Sequence, residues 1–480
     1  MIELTLGQVA AVTRGALRRA DPTVRVTGSV EFDSRRVTPG GLFVAFAGEH
    51  ADGHDHAAAA IDAGAVAAVV TRRVAVPHVL VGDGLAATAA LATEVARHLS
   101  ATVIGITGSS GKTSTKDLVA ALLERIGPTI APPGSFNNEL GHPYTVLRAD
   151  TSTRFLVLET SARGIGHIRA LTRIAPPRIG VVLNVGSAHL GEFGSREVIA
   201  TAKAELVEAL PAARDGGVAV LNADDPLVAG MANRTRARVV TVGESAGADV
   251  RAHRVRLDDL GRATFRLTAP AGTTMVTLPL VGGHHVGNAL AAAAVALECG
   301  LSVPAIAEAL SSAGPRSHWR MELVERTDGV VVINDAYNAN PESVRAALKT
   351  LAAIGRTRPA RTVAVLGEMA ELGADAAVEH DAIGRLAVRL DISRLIAVGA
   401  AARPMAHGAA LEGSWDGEST WVADSDAALI LLQHELRPGD VVLVKASRAA
   451  SLERVAIAIG DASPAAVNSG ERPERRTGRE

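Results

Sequence analysis

The chain of 480 residues contains a single cysteine, Cys299. One thiol excludes an intramolecular disulfide, and it also excludes a metal site made of several cysteines. A chain without disulfides is consistent with a reducing compartment. The N-terminal sequence MIELTLGQVA has no basic segment and no long apolar core, so we expect no secretory signal peptide.

Aromatic residues are also scarce, with three tryptophans, two tyrosines and seven phenylalanines. The hydrophobic cores must therefore consist of small aliphatic side chains, which suits the packing of helices on sheets in an α/β protein. No run of about 18 apolar residues occurs, so we expect no insertion into a membrane. The formal net charge of −2 provides no positive field for nucleic acid, so we expect no nucleic-acid partner.

Length and local composition predict three domains and a tail. A chain of this length usually folds into about three domains. We place them at residues 1–83, 84–314 and 315–463, because the stretch SAGPRSHWR (312–320) has the composition of a linker. Residues 464–480 are charged, contain proline and glycine and have almost no large apolar side chains, so we expect a disordered tail.

Short apolar runs predict buried parallel strands in the second and third domains. The runs are FLVLE (155–159), IGVVLNV (179–185), VAVLN (218–222), VVVIN (330–334), TVAVLG (362–367), RLIAVG (394–399) and DVVLVKA (440–446). The last four alternate with helical stretches, as in a doubly wound sheet, where ligands bind beyond the carboxyl ends of the strands. Residues 262–280 instead alternate with a period of two around the turn PAG, which predicts an antiparallel hairpin.

The stretch ITGSSGKTSTKD (106–117) follows the apolar run TVIGI and precedes a helical pattern. A glycine loop between a strand and a helix directs backbone N–H groups toward one point, and Lys112 adds a positive charge there. The hydroxyl of Thr113 is placed to reach a magnesium ion. The spacing differs from that of the common P-loop, because Ile106 stands where the first glycine belongs. A plain strand-to-helix turn is the alternative, but the context favours a triphosphate site.

Polar side chains follow several of the predicted strands. Glu159, Asn184, Asp335 and Lys445 each close a strand, and His189 follows Asn184 in the next loop. Glu159 could hold a cation directly, and a neutral His189 could bind that cation or its water. Each residue taken alone could simply terminate a strand, but together with the glycine loop they indicate a magnesium–nucleotide site.

The helical stretch SREVIATAKAELVEAL places Lys203 on or beside an apolar stripe. The stripe consists of Ile199, Leu206 and Leu210. A lysine buried there would lose its charge easily. It could instead extend its ammonium group into water, and the spacing alone favours this second interpretation.

The sequence NANPES (338–343) has the composition of a helix start, with Asn340 as the N-cap and Pro341 at the first helical position. The preceding polar loop DAYNA follows a predicted strand. This loop is either a ligand contact or part of the cap, and the sequence favours neither interpretation.

In combination these motifs resemble the Mur ligases, which are ATP-dependent enzymes that form peptide bonds in bacterial cell-wall synthesis. TGSSGKTS, NVGSAHL, AKAEL, GGHHVGNALAA, WRME and NDAYNANP occur in the family's order, and the resemblance covers about residues 30–450. The segment FDSRRVTPGGLFVAFAGEHADGH resembles the family's uridine-binding domain. The implied fold is therefore a small uridine-binding α/β domain, a central P-loop domain with a mostly parallel sheet, and a C-terminal Rossmann-like domain.

Within the family, DAYNANP and PGSFNNELGHP are similar to the member that adds D-alanyl-D-alanine to UDP-N-acetylmuramoyl-tripeptide. The member that adds the third residue usually carries a YAH-type motif and a DNPR segment, and neither occurs here. That ligase remains an alternative, as do a folylpolyglutamate-type ligase and a non-catalytic nucleotide-binding scaffold. The uridine-domain segment argues against folate, and the combination of Lys112, Glu159, His189, Lys203 and Asp335 argues against a decayed site.

The resemblance implies a role for each matching position. The residues implied in ATP binding are Gly108, Ser109, Ser110, Gly111, Lys112, Thr113, Ser114, Asn288, Arg320 and Asp335. Those implied in holding two magnesium ions are Thr113, Glu159, His189 and Lys203, and Lys203 is carbamylated in relatives, which revises its interpretation as a solvated residue. Those implied in substrate binding are Ser34, Arg35, Asn338 and Asn340. The implied catalytic residues are Lys112, His189, Lys203 and Arg320.

The resemblance also implies the reaction. ATP would activate the tripeptide carboxylate as an acyl phosphate, and the amino group of D-alanyl-D-alanine would displace the phosphate. Lys112, Arg320 and magnesium would offset the repulsion between the reacting anions. A hinge near 312–316 would close the third domain and exclude water. We expect a monomer, and a cytoplasmic location because ATP and UDP-sugars are found there.

Overall fold

The computed structural model describes residues 1–48, 51–186, 190–415 and 417–461. Helices pack on four sheets in these residues, so the predicted α/β class is confirmed. His189 and the predicted tail at 464–480 lie outside the described residues. None of the helices in the described part of the chain combines the length and the apolar character needed to cross a membrane.

The N-terminal part of the chain forms a five-stranded sheet of order β2-β7-β6-β5-β4 and a separate antiparallel pair, β1 and β3. Its elements are β1 (Leu4–Thr5), α1 (Leu6–Thr13), β2 (Ala16–Arg18), β3 (Arg25–Val26), β4 (Val30–Glu31), β5 (Gly41–Val44), α2 (Ala57–Asp62), β6 (Ala65–Val70), β7 (His78–Leu80) and α3 (Gly84–Arg97). Thr5 starts α1 with a capping box, in which its hydroxyl accepts from the N–H of Gln8.

An aromatic cluster joins this sheet to the next part of the chain. Phe32 packs against Phe136 and Tyr144, with ring centroids 6.2 and 5.0 Å away. The hydroxyl of Tyr144 donates a hydrogen bond of 3.0 Å to the carboxylate of Glu31. Because the chain has so few aromatic residues, this cluster marks a specific contact rather than general core packing.

The central part forms a nine-stranded sheet of order β16-β15-β14-β13-β12-β11-β8-β10-β9. Its strands are β8 (Thr102–Thr107), β9 (Thr129–Ile130), β10 (Phe155–Glu159), β11 (Ile179–Val182), β12 (Val218–Asn222), β13 (Arg238–Gly243), β14 (Val250–Leu257), β15 (Arg262–Ala269) and β16 (Gly272–Val281). Its helices are α4 (Lys112–Leu123), α5 (Gly141–Leu147), α6 (His167–Ile174), α7 (Leu190–Phe193), α8 (Arg196–Glu208), α9 (Pro226–Ala229), α10 (His285–Glu298) and α11 (Val303–Ser312).

Pairing within this sheet confirms two predictions from the sequence. The apolar runs at β8, β10, β11 and β12 pair in parallel and are almost completely buried. The period-two stretch forms the antiparallel pair β15–β16. The run predicted to extend to Val185 ends as a strand at Val182, because the chain turns there to meet the glycine loop.

The C-terminal part forms a six-stranded sheet of order β17-β18-β22-β19-β20-β21. Its strands are β17 (Glu322–Glu325), β18 (Val331–Asn334), β19 (Thr362–Leu366), β20 (Arg394–Val398), β21 (Ser419–Val422) and β22 (Val441–Lys445). Its helices are α12 (Pro341–Thr357), α13 (Ala376–Arg389), α14 (Arg403–Leu411), α15 (Ser425–Glu435) and α16 (Glu453–Asp461).

The four strands predicted for this region are present and parallel, and two edge strands flank them. The sequence analysis missed β17 and β21. Both are short and partly exposed, so neither forms a continuous apolar run of the kind that marks a buried strand. The domain boundaries at residues 83, 314 and 463 stay predictions.

Candidate active site

A cavity of about 490 Å³ lies where the carboxyl ends of the central strands face those of the C-terminal sheet. The central wall includes the glycine loop, and the facing wall includes loops after β18, β19 and β22. The predicted residues that line it are Ser109, Ser110, Gly111, Lys112, Thr113, Ser114, Asn288, Arg320, Asp335, Asn338 and Asn340. The structure therefore brings most of the sequence-predicted site residues together.

Hydrogen bonds from the loop after β11 hold the glycine loop in shape. The side chain of Asn184 accepts from the N–H of Ser110 at 2.9 Å and donates to its carbonyl at 3.2 Å. The hydroxyl of Ser109 accepts from the N–H of Gly186 at 2.9 Å. Gly111 has a φ of 79°, and a Cβ there would lie 2.5 Å from the Oδ1 of Asn288. Glycine adopts this backbone conformation without strain, and its missing side chain lets the loop pack closely against Asn288.

Lys112 begins α4 and donates a hydrogen bond of 2.7 Å to the carbonyl of Gly108. Burial lowers the pKa of its ammonium group, and the carboxylate of Glu159 acts in the opposite direction. An anionic ligand at this point would favour the charged form further. The loop therefore combines a lysine side chain with the start of a helix, as phosphate sites in proteins do.

Glu159 closes β10 as a fully buried carboxylate. Its Oε2 accepts from Asn137 at 3.3 Å and from Thr113 and Ser135 at 3.4 Å. Its Oε1 is buried and has no hydrogen-bond partner among the described residues. Burial raises the pKa of this carboxyl group, and Lys116 and Lys112 oppose the rise. A buried oxygen without a partner is costly, and a bound cation would satisfy it.

Lys203 corrects the interpretation that the helix spacing favoured. Its side chain lies in α8 and is only 6% exposed, so its ammonium group does not extend into water. Burial lowers the pKa of the amine well below its ordinary value, and the charge of Lys112 lowers it further. The helix spacing predicted a solvated Lys203 because it describes one helix only. It contains no information about other elements that pack on that helix and cover the lysine. Lys203 is therefore a buried amine close enough to Lys112 to sense its charge.

Arg320 reaches the glycine loop from the linker after α11. Its Nη2 donates to the hydroxyl of Thr113 at 3.3 Å, and its guanidinium carbon lies 4.2 Å from the centre of the Tyr337 ring. The two flanking residues have left-handed backbones, with φ of 58° at Trp319 and 52° at Met321. Such backbones cost energy in residues other than glycine and concentrate at functional sites.

Asp335 lies opposite this arginine, and both of its oxygens have partners. Oδ2 accepts from the ammonium group of Lys445 at 2.5 Å, and Oδ1 accepts from the N–H of Met321 at 3.2 Å. Burial lowers the pKa of Lys445, while the carboxylate of Asp335 raises it. Lys445 also donates to the carbonyl of Asn338 at 2.8 Å, which shapes the loop before α12.

Asn340 serves both as a cap and as a contact across the cavity. Its Oδ1 accepts from the N–H of Ser343 in a capping box, as the sequence predicts. Its Nδ2 donates to the carbonyl of Ser109 in the glycine loop at 3.4 Å. The two interpretations left open for this loop therefore do not exclude each other.

Ser34 and Arg35 do not line the cavity. They form a 3-10 turn in the N-terminal part, where Arg35 is exposed and pairs with Asp33 at 2.8 Å. The neighbouring Phe32 contacts Phe136, next to the cavity-lining Ser135. An extended substrate can contact both this turn and the cavity. The predicted role of Ser34 and Arg35 in substrate binding therefore stays a prediction.

Sequence reasoning missed several residues that line the cavity, including Ser135, Asn137, Arg163 and Glu371. PGSFNNELGHP contains the first two and was noted only as a resemblance. Arg163 and Glu371 occur in polar loops and belong to no motif that the sequence analysis used. A further buried group, His142, lies behind the wall and places its Nδ1 3.2 Å from the carbonyl oxygen of Glu159.

A phosphate-type glycine loop facing a second α/β sheet across this cavity defines a nucleotide-dependent enzyme whose site lies between two domains. Three family models match the chain: the Mur ligase family catalytic domain at residues 26–113, the Mur ligase middle domain at 106–296 and the Mur ligase glutamate ligase domain at 319–448. The chain belongs to the Mur ligase family.

Curated relatives match nearly the whole chain. The UDP-N-acetylmuramoyl-tripeptide--D-alanyl-D-alanine ligase of Mycobacterium tuberculosis is 57% identical, with 96% of this chain and 98% of the relative covered. The ligase of the same name from Escherichia coli is 34% identical, with 96% and 99% covered.

Solved structures of the family have the same fold. MurF from Acinetobacter baumannii superposes with a TM-score of 0.83 at 30% identity, covering 96% of this chain and 99% of its own. The MurF ligase of Thermotoga maritima, solved in complex with ADP, superposes with a TM-score of 0.76 at 30% identity, covering 91% and 97%. The fold implied by the family resemblance is therefore confirmed.

Lowering the pH should leave His142 neutral until about pH 4, because burial lowers its pKa from 6.5 to about 4. The unfolded chain takes up this proton at a higher pH. Between the two values the unfolded state binds more protons, so the folded protein loses stability as the pH falls. An NMR titration, with the ring resonance assigned through His142→Gln, measures the pKa. A midpoint near 6.5 would contradict the burial argument.

Proposed function

We propose that this protein is an ATP-dependent ligase that joins D-alanyl-D-alanine to UDP-N-acetylmuramoyl-tripeptide. The observation that carries the proposal is the cavity, which is lined by a glycine loop and by an arginine from the facing domain, with the buried carboxylate of Glu159 behind the lining residue Thr113. The names of relatives that are 57% and 34% identical over nearly the whole chain support the substrates. ATP and UDP-sugars are cytoplasmic, so a cytoplasmic location remains part of this proposal.

The proposed reaction begins when the terminal carboxylate of the tripeptide attacks the γ-phosphate of ATP. A bond forms between the carboxylate oxygen and phosphorus, and ADP leaves with the electron pair of the broken bond. The amino group of D-alanyl-D-alanine then attacks the acyl carbon and loses a proton as the carbon–nitrogen bond forms, and phosphate leaves with the electron pair of the broken carbon–oxygen bond and takes up that proton. Both attacking groups must be held in place, so positioning and charge stabilisation are the main contributions of the protein.

Two basic side chains are placed to offset the repulsion of the first step. The ammonium group of Lys112 lies at the glycine loop and donates a hydrogen bond to the carbonyl of Gly108. Arg320 reaches the first turn of α4 from the facing domain. Burial raises the pKa of the Glu159 carboxyl group, and the charges of both residues oppose this rise. Both side chains therefore act on the same carboxyl group. We assign Asn288 and Asp335 to contacts with the rest of the nucleotide.

The residues present fit a magnesium ion. Glu159 has a buried oxygen without a partner, and the hydroxyl of Thr113 lies 3.4 Å from the other oxygen. Oxygen ligands of this kind are those that Mg²⁺ prefers. Bound magnesium would neutralise charge on the phosphate oxygens. The second predicted ion depends on His189, which lies outside the described residues, and on Lys203.

Closure of the C-terminal domain would protect the acyl phosphate from water. The contacts of Arg320 with Thr113 and of Asn340 with Ser109 cross the cavity and would break if the domains separated. The linker after Ser312 contains the left-handed Trp319 and Met321. We therefore propose that this linker is the hinge, and that Arg320 completes the site when the domains close.

Phosphate release from magnesium–ATP and UDP-N-acetylmuramoyl-tripeptide should occur with D-alanyl-D-alanine but not with single amino acids. Mass spectrometry should show a pentapeptide product. Release with a free diamino acid on the dipeptide substrate would instead identify the ligase that adds the third residue. No release with any acceptor, despite bound ATP, would favour a nucleotide-binding scaffold.

Arg320→Ala should lower turnover by about 100-fold or more, because a donor aimed at developing charge contributes mainly to the transition state. ATP affinity, measured by calorimetry, should change far less. Arg403→Ala is a matched control, because Arg403 also stacks on an aromatic ring, that of Trp421, and does not line the cavity. Equal losses of turnover and of ATP binding in the Arg320 variant would refute the closing role.

Carbamylation of Lys203 is supported by the burial of its amine and by its lowered pKa, because only an unprotonated amine reacts with carbon dioxide. Protein equilibrated with ¹³C-bicarbonate should show a carbamate resonance by NMR, and this resonance should be absent in Lys203→Arg. Identical spectra for the two proteins would exclude the modification under those conditions.

A further inference from the structure

The loop after β19 presents one acidic side chain, Glu371, to the cavity, and its neighbours hold it firmly. The N–H of Met369 donates to the Nε2 of His380 at 2.9 Å, and the N–H of Ala370 donates to the hydroxyl of Ser447 at 2.9 Å. Leu372 is 2% exposed and belongs to the core of the C-terminal domain. The loop is therefore fixed on both sides of Glu371.

Glu371 also has a left-handed backbone, with a φ of 64°. The loop then meets the central domain so closely that a Cβ on Gly373 would lie 2.9 Å from the Cα of Gly191. A left-handed backbone is strained in a residue other than glycine and persists only where the surroundings enforce it. The loop therefore lies against the central domain.

The surroundings of this carboxylate are positive. Its Oε1 lies 3.9 Å from the Nη2 of Arg163, and its charge raises the pKa of Lys112. Its side chain is 41% exposed and can contact a ligand in the cavity. Glu371 thus lies near the phosphate-binding lysine without being buried as Glu159 is.

Three other carboxylates lie in or next to the cavity among the described residues, and their surroundings differ from those of Glu371. Glu159 has the geometry of a cation ligand, and Asp335 is neutralised by Lys445. Glu342 lies in the first turn of α12 and packs on the backbone of Gly186. Glu371 is an unexpected group in a cavity that also contains Lys112, because a carboxylate repels the phosphates that a lysine attracts.

A carboxylate in such a place favours a ligand that is itself a cation. The acceptor of the proposed reaction has an ammonium group, and its nitrogen must reach the acyl carbon, which is bonded to the transferred phosphate. The amine must therefore bind beside the phosphate site, where Glu371 lies. We propose that Glu371 binds the ammonium group of the incoming amino acceptor beside the acyl phosphate and takes one proton from it, so that the neutral nitrogen can attack, an inference that rests on the proposed function.

The main alternative is that the ion pair between Glu371 and Arg163 holds the two domains together, which we call a latch. Arg163 belongs to the central domain and Glu371 to the C-terminal one. A latch would act on every step that needs the closed enzyme, including the formation of acyl phosphate. A group that binds the acceptor acts only after that step. The two roles therefore separate in a measurement that leaves the acceptor out.

Glu371→Gln keeps the shape of the side chain and removes its charge. We expect the KM for D-alanyl-D-alanine to rise at least about tenfold, because a charge-assisted hydrogen bond to the ammonium group is lost. The burst of ADP formed from ATP and the tripeptide substrate without acceptor should stay as in the wild type. Glu368→Gln is the matched control, since it makes the same change in the same loop at a residue that does not line the cavity.

Three outcomes decide the matter. An unchanged acceptor KM in Glu371→Gln, with an active wild type, would overturn the inference and leave the proposed function standing. A loss of the ADP burst in both Glu371→Gln and Arg163→Gln would show a latch and also overturn it. An inactive wild type with every acceptor would instead refute the proposed function, so the two failures are distinguishable.

Discussion

The proposed reaction requires the cavity to bring two anions together, and this requirement accounts for the cationic groups that the cavity contains. A carboxylate and a triphosphate repel each other, so cationic groups have to converge from several elements before a reaction is possible. Lys112 comes from the glycine loop and Arg320 from the linker, and both influence the carboxyl group of Glu159. These cationic groups come from two parts of the fold, and the cavity lies between their two sheets.

The same requirement makes the contact between the two domains a functional part of the site. Arg320 donates to Thr113, and Asn340 donates to Ser109, so the facing domain touches the glycine loop at two points. The left-handed backbones at Trp319, Met321 and Glu371 lie in segments that reach toward this interface. Among the described residues, three of the eight left-handed residues other than glycine thus lie where the C-terminal domain contributes side chains to the cavity.

Buried titratable groups around the cavity respond to their surroundings in different ways. Burial raises the pKa of the Glu159 carboxyl group and lowers that of the Lys203 amine, so both groups are shifted toward their neutral forms. Cations around Glu159 oppose this shift, whereas the neighbouring Lys112 reinforces it at Lys203. The charge of Lys112 thus favours the charged form of Glu159 and the neutral form of Lys203.

The sequence by itself determined the α/β class, the glycine loop and the helix cap at Asn340, because these depend on local periodicity and on residues close in the chain. Only the tertiary structure decided that Lys203 is buried, since the elements that cover it are distant in sequence. It also decided that Asp335 pairs with Lys445 and that Glu371 lies near Lys112. Such contacts depend on strand order and domain packing, which leave no periodic pattern in the chain.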